Sequence, residues 1–429
     1  LAKLLRTGVD PAGRSLGQSM PKYELSDRDM AILIHYLKQL SSADGYSPGV
    51  TDSEIRFATI VTDDVSEQDS EAMLNVLRAH IRTRNTETRP HQRRATRAPF
   101  YKTELYSAYR RLTLDVWRLK GHPDTWPDQL WAYYDERPVF ALLGGISGQS
   151  WETIHQFCEE QKLPAILPIT EQPHISDSAW YTLYFSRGLY QEGESAADFL
   201  MRSEWAKNKK IVQLFDGSHQ SRLLASAFLE NWRGPGSRLT TINLADKSQH
   251  QLSELVSVTD KDTVLVVWAK MAPHSPLLQA IQQHGEVDSI LLSYGLVGDG
   301  WREIMPDDMD RLYITIAQSL PGENEKRARV VKRWLQREGI PITNFDIQAK
   351  MYFIGWLLPG ALRYMRSEFY RDYFMEGFDM MRDQNSAIAV YPRLSFSPGQ
   401  RYLAKGAYVA TPSAGNSGEL IKLTNWATN

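Results

Sequence analysis

The sequence predicts an α/β protein built from two doubly wound lobes, preceded by a small helical segment. Three observations lead there. The stretch Val139 to Pro173 reads strand, glycine turn, helix, strand, a βαβ unit that implies a parallel sheet covered by helices. The same alternation recurs from residue 55 to residue 429, more chain than one compact α/β domain usually holds. The composition is that of a globular chain, with 42% hydrophobic and 23% charged residues among 429. No apolar run reaches the roughly 18–20 residues that a membrane span needs.

Taken in order, residues 1–42 form the helical segment. Ser26 followed by Asp29 resembles a capping box with Asp in place of Glu, and Ile32, Leu33, Tyr36, Leu37 and Leu40 then fall at helical spacing. Residues 43–54 are a linker by their Ser, Gly, Asp and Pro content. Ile55 to Val61 is an apolar strand, and Met73, Leu74, Leu77 and Ile81 mark one face of the helix after it. Residues 89–111 are basic, with Arg89, Arg93, Arg94, Arg97, Lys102, Arg110 and Arg111 interleaved with Tyr101, Tyr106 and Tyr109. Such a stretch suits either an anionic partner or a solvated loop. With a net charge of −2 and no nucleic-acid motif, a solvated loop before the strand Leu112–Trp117 is expected, and no nucleic-acid partner.

The central unit begins with the buried run Val139 to Leu143 and the turn Gly144-Gly145-Ile146-Ser147-Gly148-Gln149. A helix over 150–161 carries Ile154, Phe157 and Cys158 on one face, and Leu163 to Leu167 is the next strand. A glycine turn at the carboxyl end of a strand is where open α/β sheets bind ligands, and the helix start beside it favours an anion. Further strands are read at 180–185, 210–215, 239–243, 263–268, 289–293, 311–315 and 402–411. Helices are read at 192–205, 221–232, 249–256, 276–284 and 323–338, with two more within 346–382.

Two resemblances add to this reading. The glycine-rich approach Gly8 to Gly13, the Met20-Pro21 pair, Leu25-Ser26-Asp27 and the helix ending Tyr36-Leu37-Lys38-Gln39-Leu40 resemble the C-terminal part of a class I c-type cytochrome. That resemblance implies haem c with Met20 as the axial ligand to its iron, and a redox partner protein. The departure is that no Cys-x-x-Cys-His occurs in the sequence, so the attachment motif is expected upstream of Leu1. The alternative is a plain helical extension with Met20 as a packing residue. The first residue is Leu and no signal peptide is visible, so either a removed leader or a longer parent chain is expected.

The order of the remaining elements resembles a type I periplasmic solute-binding protein of the branched-chain amino acid and amide group. The carrying segments are Leu143 to Gly148 with Leu163-Pro164, Tyr184-Phe-Ser-Arg187 with Ala196 to Leu200, Val264 to Trp268, Ser293 to Gly300, and Leu394 to Arg401. The resemblance implies two lobes, the first about 55–180 and 310–375, the second about 190–305 and 385–429. It further implies a small polar ligand in the cleft, hinge closure around that ligand, and a periplasmic location. Carried onto this chain, Ser147, Gly148 and Thr170 are candidates for a carboxylate, Trp151 for a pocket wall, and Asp299 for an ammonium group. Trp268 and Tyr294 lie in candidate cleft loops. Each also reads as an ordinary turn, cap or core residue.

Enzymatic signatures are sparse. Ser147 lacks the following glycine of a nucleophile elbow, because Gln149 stands there. Gly295, Gly298 and Gly300 reverse the dinucleotide fingerprint. No Walker or His-Glu-x-x-His motif occurs, the ten histidines are scattered, and no catalytic group is assigned. The expected activity is a haem-linked binding protein. The alternatives are a plain solute-binding or scaffold protein, and an α/β enzyme holding a nucleotide at Gly144 to Gly148.

Overall fold

The computed structural model describes residues 2–9, 13–14, 22–42, 47–97, 110–176, 178–245, 247, 251, 259–270, 276–284, 287–304, 311–320, 322–365, 368–381, 388–396, 400–413 and 419–426, with the side chains at 35–42, 90–97, 282–284 and 303–304 excepted. Leu1–Ser47 and Pro48–Asn429 form separate compact units.

The first unit contains the helices α1 (Ala2–Thr7) and α2 (Asp27–Ser42). The N-cap half of the capping box is present: the Ser26 hydroxyl accepts from the Asp29 backbone N–H at 3.1 Å, while the Asp29 carboxylate accepts from the Ser26 hydroxyl at 2.7 Å. Leu5 and Met30 are buried, and Arg6 pairs with Asp27 at 2.7 Å. Met20 and Pro21 lie outside the described residues.

In the second unit, strands form where β-branched and aromatic residues alternate between two buried faces. In β1 (Glu54–Thr62), Phe57 and Val61 enter one core cluster, while Ala58 and Ile60 enter the cluster on the opposite face. In β8 (Thr263–Trp268), Leu265 and Val267 go one way, and Val264, Val266 and Trp268 the other. Truncating a side chain as deeply buried as Phe57 costs on the order of 3–5 kcal/mol.

Among the described residues, the first sheet has the order β11-β5-β4-β3-β1-β2 and the second β13-β12-β10-β9-β8-β6-β7. The members of the first are β1, β2 (Arg111–Leu119), β3 (Ala141–Leu143), β4 (Ala165–Ile166), β5 (Thr182–Ser186) and β11 (Tyr402–Ala404). The second contains β6 (Lys210–Phe215), β7 (Leu239–Asn243), β8, β9 (Ser289–Ser293), β10 (Leu312–Ile316), β12 (Tyr408–Pro412) and β13 (Leu420–Lys422). Each lobe thus has a parallel core of order 2-1-3-4-5, and among the described strands only β12 runs against the rest, pairing antiparallel with β10 and β13. In such sheets the order reverses beside the first strand, opening a crevice at the carboxyl ends.

The chain crosses between lobes over residues 187–188, 317–324 and 405–407. The first two crossings leave the carboxyl ends of β5 and β10, so both sheets turn their carboxyl edges toward one shared cleft. Gln191 and Glu192, in the first turn of the helix Leu189–Arg202, tie the crossings together. The Gln191 amide donates to the Gly406 carbonyl and accepts from the Arg187 N–H, while Glu192 accepts from the Ala317 N–H.

The structure corrects several expectations. Leu312–Ile316, assigned to the first lobe, pairs in parallel with β9 of the second. Tyr402–Ala404, assigned to the second lobe, pairs with β5 of the first. The third crossing therefore interrupts what reads as one strand over 402–411. The basic stretch begins in a helix rather than a loop, because α3 runs Glu67–Arg97; residues 98–109, including Lys102 and the three tyrosines, lie outside the described residues. Most of the helix expected at 249–256 also lies outside them. No described helix is long and apolar enough to cross a membrane.

Candidate ligand cleft

The first-lobe face of the cleft is built from the loops after β1, β3 and β4. Gly145 has φ +104°, and a Cβ there would sit 2.7 Å from the Trp151 ring, so only glycine turns the chain here. Ile146 then continues the sheet edge, donating its N–H to the Ile60 carbonyl at 2.8 Å. Ser147 follows, nearly buried at 4% exposure. Its hydroxyl accepts from the Gln149 N–H at 3.1 Å and its N–H donates to the Ile169 carbonyl at 3.2 Å. At Gly148 a Cβ would lie 2.4 Å from Asp64 Oδ2; the carboxylate after β1 rests directly on this backbone. Asp64 is itself held by the Thr62 hydroxyl.

Gln172 joins the β3 and β4 loops. Its side-chain amide donates to the Gly148 carbonyl at 3.0 Å, and its backbone N–H donates to the Thr170 hydroxyl at 3.0 Å. Ser147, Gly148 and Thr170 are therefore brought together, with Asp64 and Gln172 as partners that sequence reasoning missed. A carboxylate at a strand's carboxyl end and a glutamine two residues past Thr170 were the available signals. Trp151 does not wall a pocket. It is fully buried in the core behind the turn, because its ring fills the space that Gly145 leaves.

On the second lobe, Tyr294 and Asp299 come together. The tyrosine hydroxyl donates to Asp299 at 3.4 Å, and Arg302 pairs with the same carboxylate at 2.8 Å. An incoming cation at Asp299 competes with Arg302. Burial, then the carboxylates of Asp299 and Asp346, push the Tyr294 hydroxyl up to about 12, so it acts as a neutral donor. Both residues line a cavity of about 370 Å³, together with Lys332, Phe345 and Asp346 from the first lobe's helices and Ser319 from the second crossing. Trp268 is not in the cleft. It is completely buried, with its indole N–H on Gln213 at 3.1 Å, because the last strand position points into the core. Asp216 after β6 occupies a place equivalent to that of Asp63 and Asp64 after β1. It accepts the N–H groups of Ser218 and Lys270 at 2.9 and 3.3 Å. Burial opposes its charge, but donors from Ser218, Ser221 and Lys270 outweigh this and leave its carboxyl below the usual range.

Two buried charges stand where the lobes meet. Glu192 accepts from the Ser293 hydroxyl at 2.5 Å and from the N–H groups of Gly295 and Ala317 at 3.2 and 3.3 Å. Burial still raises its carboxyl to about 7. Burial alone would lower the Lys350 ammonium, but Tyr391, Glu171 and Asp346 reverse this and hold it above its ordinary value.

The haem attachment motif, expected upstream of Leu1, is not among the residues of this sequence. Thioether attachment uses two cysteines, and the sequence has one, Cys158, buried in the first lobe. With Met20 outside the described residues, no electron-transfer step follows from the structure.

No protein-family model matches the sequence, and no curated protein matches it. Solved structures do. A leucine-binding protein of Thermotoga maritima is 16% identical at a TM-score of 0.56, covering 86% of this chain and 98% of its own. A branched-chain amino acid transporter protein of Thermus thermophilus with bound valine is 11% identical at 0.58, covering 89% and 98%. A solute-binding protein of Rhodopseudomonas palustris in complex with 3,4-dihydroxybenzoic acid is 13% identical at 0.55, covering 86% and 96%. With three crossings, two parallel cores of one order and these likenesses, the fold of the second unit is that of the type I periplasmic binding proteins.

Proposed function

We propose that this chain is a solute-binding protein that clasps a small polar ligand, of the amino acid or small carboxylate class, between its lobes. The observation that carries the reading is the joining of two carboxyl-edge crevices across three short crossings, with a cavity at their junction. That cavity is lined by Lys332 and Asp346 from the first lobe and by Asp299 from the second, charges of both signs, which suits a ligand bearing both. The loops holding Ser147, Gly148 and Thr170 offer hydroxyl and backbone groups to its carboxylate. The bound valine and dihydroxybenzoic acid of the structural neighbours support the same class. The role is binding rather than catalysis, in the periplasm, and the plain binding reading is favoured over the haem-linked one.

The test is titration calorimetry with amino acids, small amides, aromatic carboxylates and nucleotides. Saturable binding of one of the first three is expected, weakened about tenfold by Thr170→Val, the worth of one buried hydrogen bond. Silence across those three classes, or binding of nucleotides alone, would overturn the reading.

A further inference from the structure

Beside the cleft, the helix Glu325–Arg337 presents an unbalanced surface. Its buried face carries Val331, Trp334 and Leu335. Its outer face carries Lys326, Arg329, Arg333 and Gln336 at helical spacing. These line a groove of about 790 Å³ with Lys332, Ile340 and Ile342. Four cations and no anion form this lining.

Several other basic side chains on the surface are paired: Lys207 with Glu204, Lys210 with Asp260, Arg137 with Asp115. Among the described residues, Lys326, Arg329 and Arg333 have no ion pair. Like charges three and four residues apart on one helix repel, so the sequence keeps an arrangement that disfavours the isolated helix. Ile342 is 51% exposed and Val330 44% exposed, adding apolar surface to the charge.

We propose that this groove docks an acidic, partly apolar segment of a partner protein. Charge complementarity sets the sign: carboxylates along the segment neutralise Lys326, Arg329 and Arg333, and an apolar side chain covers Ile340 and Ile342. A helix of this length offers roughly 20 Å of groove, which spans about six extended residues. No aromatic residue lines the groove to stack bases, which disfavours single-stranded nucleic acid. A helix that lies in a lipid surface turns its apolar face outward, whereas here that face is packed inward. Lys332 also lines the ligand cavity, so docking and cleft occupancy share one side chain.

The test uses the full chain and a fluorescein-labelled synthetic peptide of glutamate pairs separated by leucine, read by fluorescence anisotropy. Saturable binding is expected at low salt and weakens as salt rises. The variant K326E/R329E/R333E should lose at least about tenfold in affinity, with an unchanged far-UV circular dichroism spectrum. The milder K326Q/R329Q, which keeps the helix free of new charges, should lose several-fold and decides the matter if the reversal variant misfolds. Leucine replaced by serine in the peptide should also weaken binding. Absence of saturable binding, equal binding by the folded variants, or indifference to the leucines would overturn the proposal. So would tighter binding, through the same residues, of phosphatidylserine vesicles or a single-stranded oligonucleotide.

Discussion

Replacing Glu192 with glutamine isolates the cost of a buried charge at the junction of the lobes. The carboxyl is 4% exposed and is raised from 4.5 to about 7, burial outweighing the donors Ser293, Gly295 and Ala317. The folded state therefore keeps a proton that the unfolded chain has already released. Stability gains nothing from this below the unfolded value, falls as pH rises from 4.5 to about 7, and then levels off. At about 1.4 kcal/mol per pKa unit the fall is on the order of 3 kcal/mol. Glutamine cannot ionise, and its single oxygen can replace the one that accepts from Ser293 and Gly295 but not also the one that accepts from Ala317, so the variant carries a pH-independent cost and the charge is read from the pH-dependent part of the difference. Urea denaturation of both proteins, from about pH 4.5 to about pH 8, should show the variant gaining on the wild type by about 3 kcal/mol between the acid end and the other. His80 and His155, both lowered to about 4 by burial first, titrate in the same region. Both proteins contain them, so they cancel in the difference. A gap that stays constant with pH, or a wild type that gains on the variant as pH rises, would refute the reasoning.

Other substitutions probe the rest of the structure. Arg371, in the helix Arg371–Asp379, donates to the carbonyls of Val139, Phe140, Gln161 and Lys162 and to the Tyr134 hydroxyl; Arg371→Met should cost about 3–5 kcal/mol by leaving buried acceptors unpaired, and a loss under about 1 kcal/mol in a denaturation curve contradicts that role. Gly148→Ala should destabilise by about 1–3 kcal/mol through the Asp64 contact. Adding Asp64→Ala should recover part of the loss, so strict additivity in the double-mutant cycle argues against the contact. His155 bonds the Tyr184 hydroxyl at 3.0 Å and is lowered to about 4, by burial first and then by His174. Its sign is opposite to that of Glu192: its contribution is complete above pH 6.5 and fades on acidification toward 4. Relative to His155→Gln, the wild type should lose about 3 kcal/mol over that range, and parallel curves would count against it.

Much of the α/β body was legible because buried parallel strands announce themselves as short apolar runs. Thr263 to Trp268 and Lys210 to Phe215 fall where the pattern places them. The lobe membership of Leu312–Ile316 and Tyr402–Ala404 was not legible, since strand pairing is a non-local choice that periodicity does not carry. The helix Glu67–Arg97 outran its expected end because its arginine-rich second half lacks apolar periodicity and Pro90 reads as a breaker. At the site, the glycine turn pointed to Ser147 and Gly148. Trp151 and Trp268 misled, because an aromatic residue at a helix start or a strand end reads alike whether it faces a crevice or the core. Asp64, Gln172 and Glu192 were missed for the converse reason. Each is a single polar residue whose importance lies in distant partners.

The most direct test of a two-lobed clasp is the distance between its jaws. Cys158 is the only cysteine and is buried, so spin labels can be placed cleanly at His122→Cys and Lys270→Cys, both exposed after strands of opposite lobes. Pulsed electron spin resonance should show this separation shortening and narrowing when the calorimetric ligand is added. A distribution unmoved by a saturating, tightly held ligand would contradict the account.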